Sequence, residues 1–250
     1  MVPRRSADRA GRDPSGWKRQ CGWLDGAYDL AVSPDDKHIY VVGYDDDAVS
    51  WFDRNASTGA LTYGGMLKDG VGGVDGLNGT QRVAVSNDGK HVYTTGVTDD
   101  AVSWFERNAS SGALSYGGML KDGIGGVDGL DSALGLSVSS DGNQVYVSGA
   151  ADNSISWFDR NVSSGGLAYG GTLFDDVGGV DGLAGPRSIL LSPDEGNLYV
   201  AAPGENAVSF FDRNTSTGAL SYMGVFKDGV AGVDGLNEAY GLVASRGGSH

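Results

Sequence analysis

Apolar side chains recur at every second position in short runs along most of the chain, and each run closes on Asp, Asn, Ser or Gly. That alternation is the mark of strands with one face on a core, and the helical spacing of three or four is absent. Between Tyr28 and Lys68 it predicts four strands: Tyr28–Ser33, His38–Tyr44, Ala48–Arg54 and Ala60–Lys68. The segments between them, "PDDK" (34–37), "DDD" (45–47) and "NASTG" (55–59), read as turns. Asp, Asn and Ser there form local side-chain bonds, and Gly supplies positive φ.

The same pattern returns at a fixed interval. "VDGL" begins at Val74, Val127, Val180 and Val233, a step of 53 residues each time. The aromatic pairs Trp51-Phe52, Trp104-Phe105, Trp157-Phe158 and Phe210-Phe211 keep the same step. Four complete units are expected at about 25–77, 78–130, 131–183 and 184–236, with a partial fifth over 237–250. Residues 1–24 are basic, rich in arginine and outside the repeat, and read as a disordered or non-repeat leader.

A repeated unit of four antiparallel strands and roughly 40 to 50 residues points to an all-β fold, a β-propeller in which each unit is one blade. The strings "SPDDKHIYVVG", "SNDGKHVYTTG", "SSDGNQVYVSG" and "SPDEGNLYVAA", followed by "DAVSWF", "NSISWF" or "NAVSFF" and then "STGAL" or "SSGGL", carry a resemblance. They resemble the lactonase-type seven-bladed propeller family and the related YVTN repeats of bacterial and archaeal surface proteins. The resemblance implies a ring of blades and, for the lactonase branch, hydrolysis of a sugar lactone at the channel mouth.

Charge and composition narrow the partners. The formal net charge of −14 opposes broad attraction to nucleic acid or anionic membrane. No apolar run approaches the length of a membrane span, and the first segment lacks the apolar stretch of a secretory signal. Cys21, the one cysteine, excludes an intrachain disulfide and reads as a stray thiol. Protein, carbohydrate and small-molecule ligands remain, together with self-association to complete the ring, because four units and a fraction leave an array open.

In a propeller the first strand of each blade lines the channel, so the turns between its second and third strands, here the B–C turns, share one face with the links between blades. That face collects Asp69, Asp75, Asp122, Asp128, Asp175, Asp181, Asp228 and Asp234 from the "KDGVGGVDGL" links. With glycine carbonyls between them, these acids are candidate ligands for Ca²⁺, which takes six to eight oxygens. "VGGVDGL" also resembles calcium-binding glycine-aspartate nonapeptides. The competing reading makes the same acids turn formers in a glycine-rich crossing with little in it to pack. The units differ most at the start of the first strand, where Tyr28, Asp29, Gln81, Arg82 and Arg187 stand at the channel mouth and could bind a carboxylate or phosphate.

Other features have structural readings. Asn55, Asn108, Asn161 and Asn214 head sequon-like strings, but a hairpin turn asks for the same residues. Trp51, Trp104 and Trp157 read as core between blades, and the "FDRN" and "FERN" charges as pairs between blades or on the surface. His38 and His91 neighbour no nucleophile, so near-identical units offer no asymmetric catalytic group. The leading expectation is a non-enzymatic binding or surface-display scaffold. The alternatives are a lactonase-like hydrolase related to propeller-type 6-phosphogluconolactonase and a calcium-stabilised repeat domain.

Overall fold

The computed structural model describes residues 24–244. Cys21 and nearly all of the leader, and His250 with the last residues of the fifth unit, lie outside them. The described chain forms four antiparallel sheets of four strands, each in simple meander order. Blade 1 comprises β1 (Ala27–Val32), β2 (His38–Gly43), β3 (Ala48–Arg54) and β4 (Leu61–Lys68); blade 2 comprises β5 (Thr80–Val85), β6 (His91–Gly96), β7 (Ala101–Arg107) and β8 (Leu114–Lys121). Blade 3 follows with β9 (Ala133–Val138), β10 (Gln144–Gly149), β11 (Ser154–Arg160) and β12 (Leu167–Phe174), and blade 4 with β13 (Ser188–Leu191), β14 (Asn197–Ala202), β15 (Ala207–Arg213) and β16 (Leu220–Lys227). Every strand lies within a residue or two of its expected place.

The first strands touch in series, β1 to β5, β5 to β9 and β9 to β13, which makes them the inner edge of an arc. No comparable contact joins β13 back to β1, so the ring is open. Beyond blade 4, Tyr240–Ala244 stands where a fifth first strand would begin but forms none. A first strand pairs only with the second strand of its own blade, and the described residues include no second strand after Ala244.

Apolar burial is concentrated between blades. One core cluster joins Tyr40, Val42 and Val49 of blade 1 to Val83, Val92 and Phe105 of blade 2, and two further clusters repeat the arrangement in the next seams. The links contribute to these cores, contrary to the expectation that little in them packs. Val74, Leu77, Val127, Leu130, Val180 and Leu183 are all buried. The glycines turn the chain so that these two side chains of each link point inward while the rest stays at the surface.

Trp51 is buried in its core cluster, and Trp104 and Trp157 pack against theirs, as expected. Each also covers a glycine pair of the neighbouring strand in its own blade. A Cβ on Gly117 would lie 2.5 Å from Trp104 Cδ1, and one on Gly118 2.7 Å from its Cζ2. In blade 4 the tryptophan is Phe210 and the first glycine is Met223. Met223 is 60% exposed, and Phe210 stacks on Phe226, ring centres 5.8 Å apart.

Candidate functional site

Two regions carry polar chemistry: the channel mouth with its acidic face, and the seams. At the mouth, a bulge interrupts the pairing of the first strand with the second, between Ala27 and Asp29 in blade 1 and between Thr80 and Arg82 in blade 2. In blade 3 the irregularity sets Leu134 and Gly135 against Ser148 alone. A bulge of this kind re-aims the side chain of the extra residue. Tyr28 and Gln81 occupy it, and Arg187 stands at the equivalent step of blade 4, so the variable positions coincide with the local distortion.

The structure does not gather the five mouth residues into one constellation. Asp29 accepts a hydrogen bond from Val83 N at 3.1 Å and so ties β1 to β5. Gln81 is buried, and its carbonyl accepts from Arg82 Nη1 at 3.2 Å. Tyr28 is exposed and lies 5.5 Å from the Tyr44 ring, centre to centre. Arg187 rests 5.3 Å from the centre of the Tyr240 ring, a cation–π contact. Among the described residues neither Arg82 nor Arg187 has an ion-pair partner, although the chain carries a formal charge of −14.

The two aspartates of each link have different roles. The first is a turn former: Asp69 Oδ1 accepts from Leu77 N at 3.0 Å, Asp122 Oδ1 from Gly129 N and Leu130 N at 2.9 Å each, Asp175 Oδ1 from Leu183 N at 2.9 Å, and Asp228 Oδ1 from Leu236 N at 2.8 Å. The last residue of each B–C turn, Asp47, Asp100, Asn153 or Asn206, adopts positive φ and accepts from the amide of Gly79, Ser132, Gly185 or Glu238 in the link that follows. Asp and Asn are the side chains that tolerate this conformation and also present an acceptor.

The second aspartate faces a carboxylate of the next blade. Asp69, Asp75 and Asp99 bring oxygens within 4.8 Å of one another, as do Asp122, Asp128 and Asp152, and Asp175, Asp181 and Glu205. Among the described residues these three groups are the ones able to gather a cation, and no carboxylate of a further blade joins Asp228 and Asp234 in a fourth. Burial, then repulsion from neighbouring carboxylates, raises the pKa of Asp69, Asp152 and Asp175 above the ordinary carboxylate value. Lysine answers two of the groups. Lys227 Nζ lies 2.7 Å from Asp181 and 3.0 Å from Glu205, and Lys121 Nζ lies 3.9 Å from Asp99. Phe174 occupies the corresponding place beside Asp128 and Asp152.

The seams hold a constellation of which the sequence reading anticipated only that the arginine pairs between blades or on the surface, not its tyrosine and histidine partners. Arg107, at the end of β7, donates through Nε to Tyr40 Oη at 2.8 Å and through Nη2 to Asp35 Oδ1 at 2.8 Å and His38 Nδ1 at 2.7 Å. Tyr40 Oη in turn donates to Gly112 O at 2.9 Å. Arg160 repeats this with Tyr93, Asp88 and His91, and Arg213 with Tyr146 and Gln144, with Asp141 at 3.8 Å. Since arginine only donates, His38 Nδ1 accepts, and the ring proton sits on Nε2, 3.3 Å from Asp53. Burial, reinforced by the adjacent guanidinium, holds His38 and His91 below their ordinary 6.5. Burial raises Asp88, but the Ser86 hydroxyl and Arg160 outweigh it and lower the carboxyl to about 2. The two histidines are therefore parts of a clasp between blades. The period in the sequence was the available signal, since Asp35, Tyr40 and Arg54 recur at identical places in each unit.

The sequon-like asparagines are turn formers, as expected: Asn55 Oδ1 accepts from Ser57 N and Thr58 N at 3.0 Å each, with equivalents at Asn108, Asn161 and Asn214.

The meander sheets, their arc and the repeated seam define a propeller. The sequence model of the lactonase family, described as a seven-bladed β-propeller, matches residues 74–227, more than half of the chain. The chain belongs to this family. Solved structures agree on the fold. A protein of Lactobacillus plantarum superposes with a TM-score of 0.67 at 20% identity, covering 80% of this chain and 54% of that one. The periplasmic gluconolactonase of Pseudomonas aeruginosa gives 0.66 at 20%, covering 80% and 54%, and a candidate 6-phosphogluconolactonase of Bacteroides uniformis 0.64 at 22%, covering 79% and 53%. The chain thus spans about half the length of these structures. No curated protein matches the sequence.

Proposed function

We propose that this chain supplies four blades of a lactonase-type propeller that binds and hydrolyses an acid-bearing sugar lactone at its channel mouth. Family membership weighs for this alternative over the scaffold reading. The observation that carries it is the pair of arginines, Arg82 and Arg187, at the mouth of a strongly acidic protein without carboxylate partners among the described residues. Guanidinium groups left in that state suit a substrate carboxylate or phosphate. They also suit the oxyanion that develops when water attacks the ring carbonyl.

The test is hydrolysis of 6-phosphogluconolactone and of unphosphorylated gluconolactone, measured against the uncatalysed rate. Arg82→Ala and Arg187→Ala should each lower kcat/KM by roughly tenfold or more, equivalent to about 1.4 kcal/mol of lost transition-state binding. A folded wild-type protein that leaves both lactones at the uncatalysed rate would overturn the reading.

A further inference from the structure

The clasp occurs in all three seams, and the same residues recur once more on each open face of the arc. On blade 1, Arg54 occupies the place of Arg107, Arg160 and Arg213. Its Nη1 donates to Asp36 O at 3.0 Å, matching the bonds of Arg107 to Gly89 O and Arg160 to Gly142 O, so its guanidinium is already held in the clasp orientation. Among the described residues its remaining donors have no partner across a seam. Leu61 beside it is 49% exposed, whereas its equivalents Leu114, Leu167 and Leu220 are buried in seams. A Cβ on Gly59 would meet nothing within 4 Å, whereas those on Gly112, Gly165 and Gly218 would meet His38, His91 and Gln144.

Blade 4 carries the other half. Tyr199 stands at the position of Tyr40, Tyr93 and Tyr146, which are fully buried, yet it is only partly covered and no described residue bonds its hydroxyl. Asp194 is set for an arginine by the same Ser-x-Asp turn, accepting from Ser192 Oγ at 2.6 Å. Asn197 takes the place of His38, His91 and Gln144. A cavity of about 370 Å³ opens beside Tyr199, lined by Leu190, Pro193, Leu242, Val243 and Ala244.

We propose that these faces join two copies of the chain head to tail, Arg54 of each copy closing on Tyr199, Asp194 and Asn197 of the partner subunit. This inference is independent of the lactonase reading. The occupant follows from complementarity, because each open face presents what the other lacks in an interface already formed three times. The number of copies follows from the blades. Each chain supplies four, so two copies make one ring of eight, one more than the family's seven and within the known range of propellers. The contact is heterologous, and two such contacts related by a twofold axis close it. Leu242 lies four periods after Leu30, so Tyr240–Ala244 occupies the position of the incoming β1 and moves aside on assembly. It has no strand pairing to lose, and Val243 is 91% exposed.

The experiment is the solution mass of the full chain by sedimentation equilibrium, with salt sufficient to screen the net charge. The expected mass is twice 25.8 kDa. Arg54→Asp and Asp194→Arg should each give 25.8 kDa with the circular dichroism of the wild type. An equimolar mixture of the two variants should return to the doubled mass, because one interface is then wild type and the other has its charges exchanged. A variant that failed to fold would not be rescued by mixing. A wild-type chain at 25.8 kDa, or a dimer whose mass neither variant changes, would overturn the proposal.

Discussion

Tryptophan and glycine are coupled in this protein at the scale of single residues. Gly117 needs no unusual backbone; its requirement is the space that Trp104 fills. Gly117→Ala should therefore destabilise by about 1–3 kcal/mol, the cost of overpacking a filled site. Trp104→Phe in the same chain should recover part of that loss; Phe210 and Met223 are the residues at the two positions in blade 4. Urea denaturation of the two single variants and the double variant measures the coupling, expected to exceed about 0.5 kcal/mol. Additivity would show that the ring and the glycine do not share the space. The alternating pattern made the glycine pair legible as part of a strand. It did not disclose the ring lying across it, because the contact runs between strands.

At the scale of elements, the link between blades combines two tasks. Its buried valine and leucine anchor the crossing, and its second aspartate meets the acid of the next B–C turn. Where lysine answers that repulsion the group is balanced, and where Phe174 stands it is not. Phe174→Lys should raise stability by about 0.2–1 kcal/mol near neutral pH. The gain should fade in acid as Asp152, held above the ordinary carboxylate value, takes up a proton. Thermal melts at two pH values check this, and a gain that persists in acid would exclude the charge explanation. Strands and turns could be read from the sequence because their determinants are local. The seam could not, since Arg107 lies 67 residues from Tyr40 and 72 from Asp35. A period states that units repeat without stating which residue of one meets which residue of the next. For the same reason the mouth was legible as a set of variable positions, whereas the engagement of Asp29 with Val83 was not.

For the whole molecule, stability rests on three seams, and protons reach them in two windows. His38 and His91 are held neutral, with folded values below 6.5, so the stability present above 6.5 should fall as pH drops through and below that value. Asp88 is lowered from 3.8 to about 2, so its contribution persists above 3.8 and is lost as pH falls towards 2. Asp69, Asp152 and Asp175 act in the opposite sense, since their folded values lie above 3.8 and protonation there relieves their repulsion. Replacing both histidines by Gln, the residue already present as Gln144 in the third seam, should remove the upper step and leave the lower one. Melting temperatures between about pH 8 and pH 3 decide this, and an upper step unchanged in the double variant would place its origin outside the seams.

The exchange of tryptophan for Phe210 also gives the arc an optical asymmetry. An indole lies across the glycine pair in blades 1, 2 and 3, and a phenyl ring takes its place in blade 4. Intrinsic fluorescence from these sites follows the first three blades and, through Trp157 packed on the last seam, the departure of the fourth, while circular dichroism registers every sheet. With Trp17 and Trp23 replaced by Phe, comparing the signal with that of a Trp157→Phe variant reads whether the blade 4 seam opens before the rest.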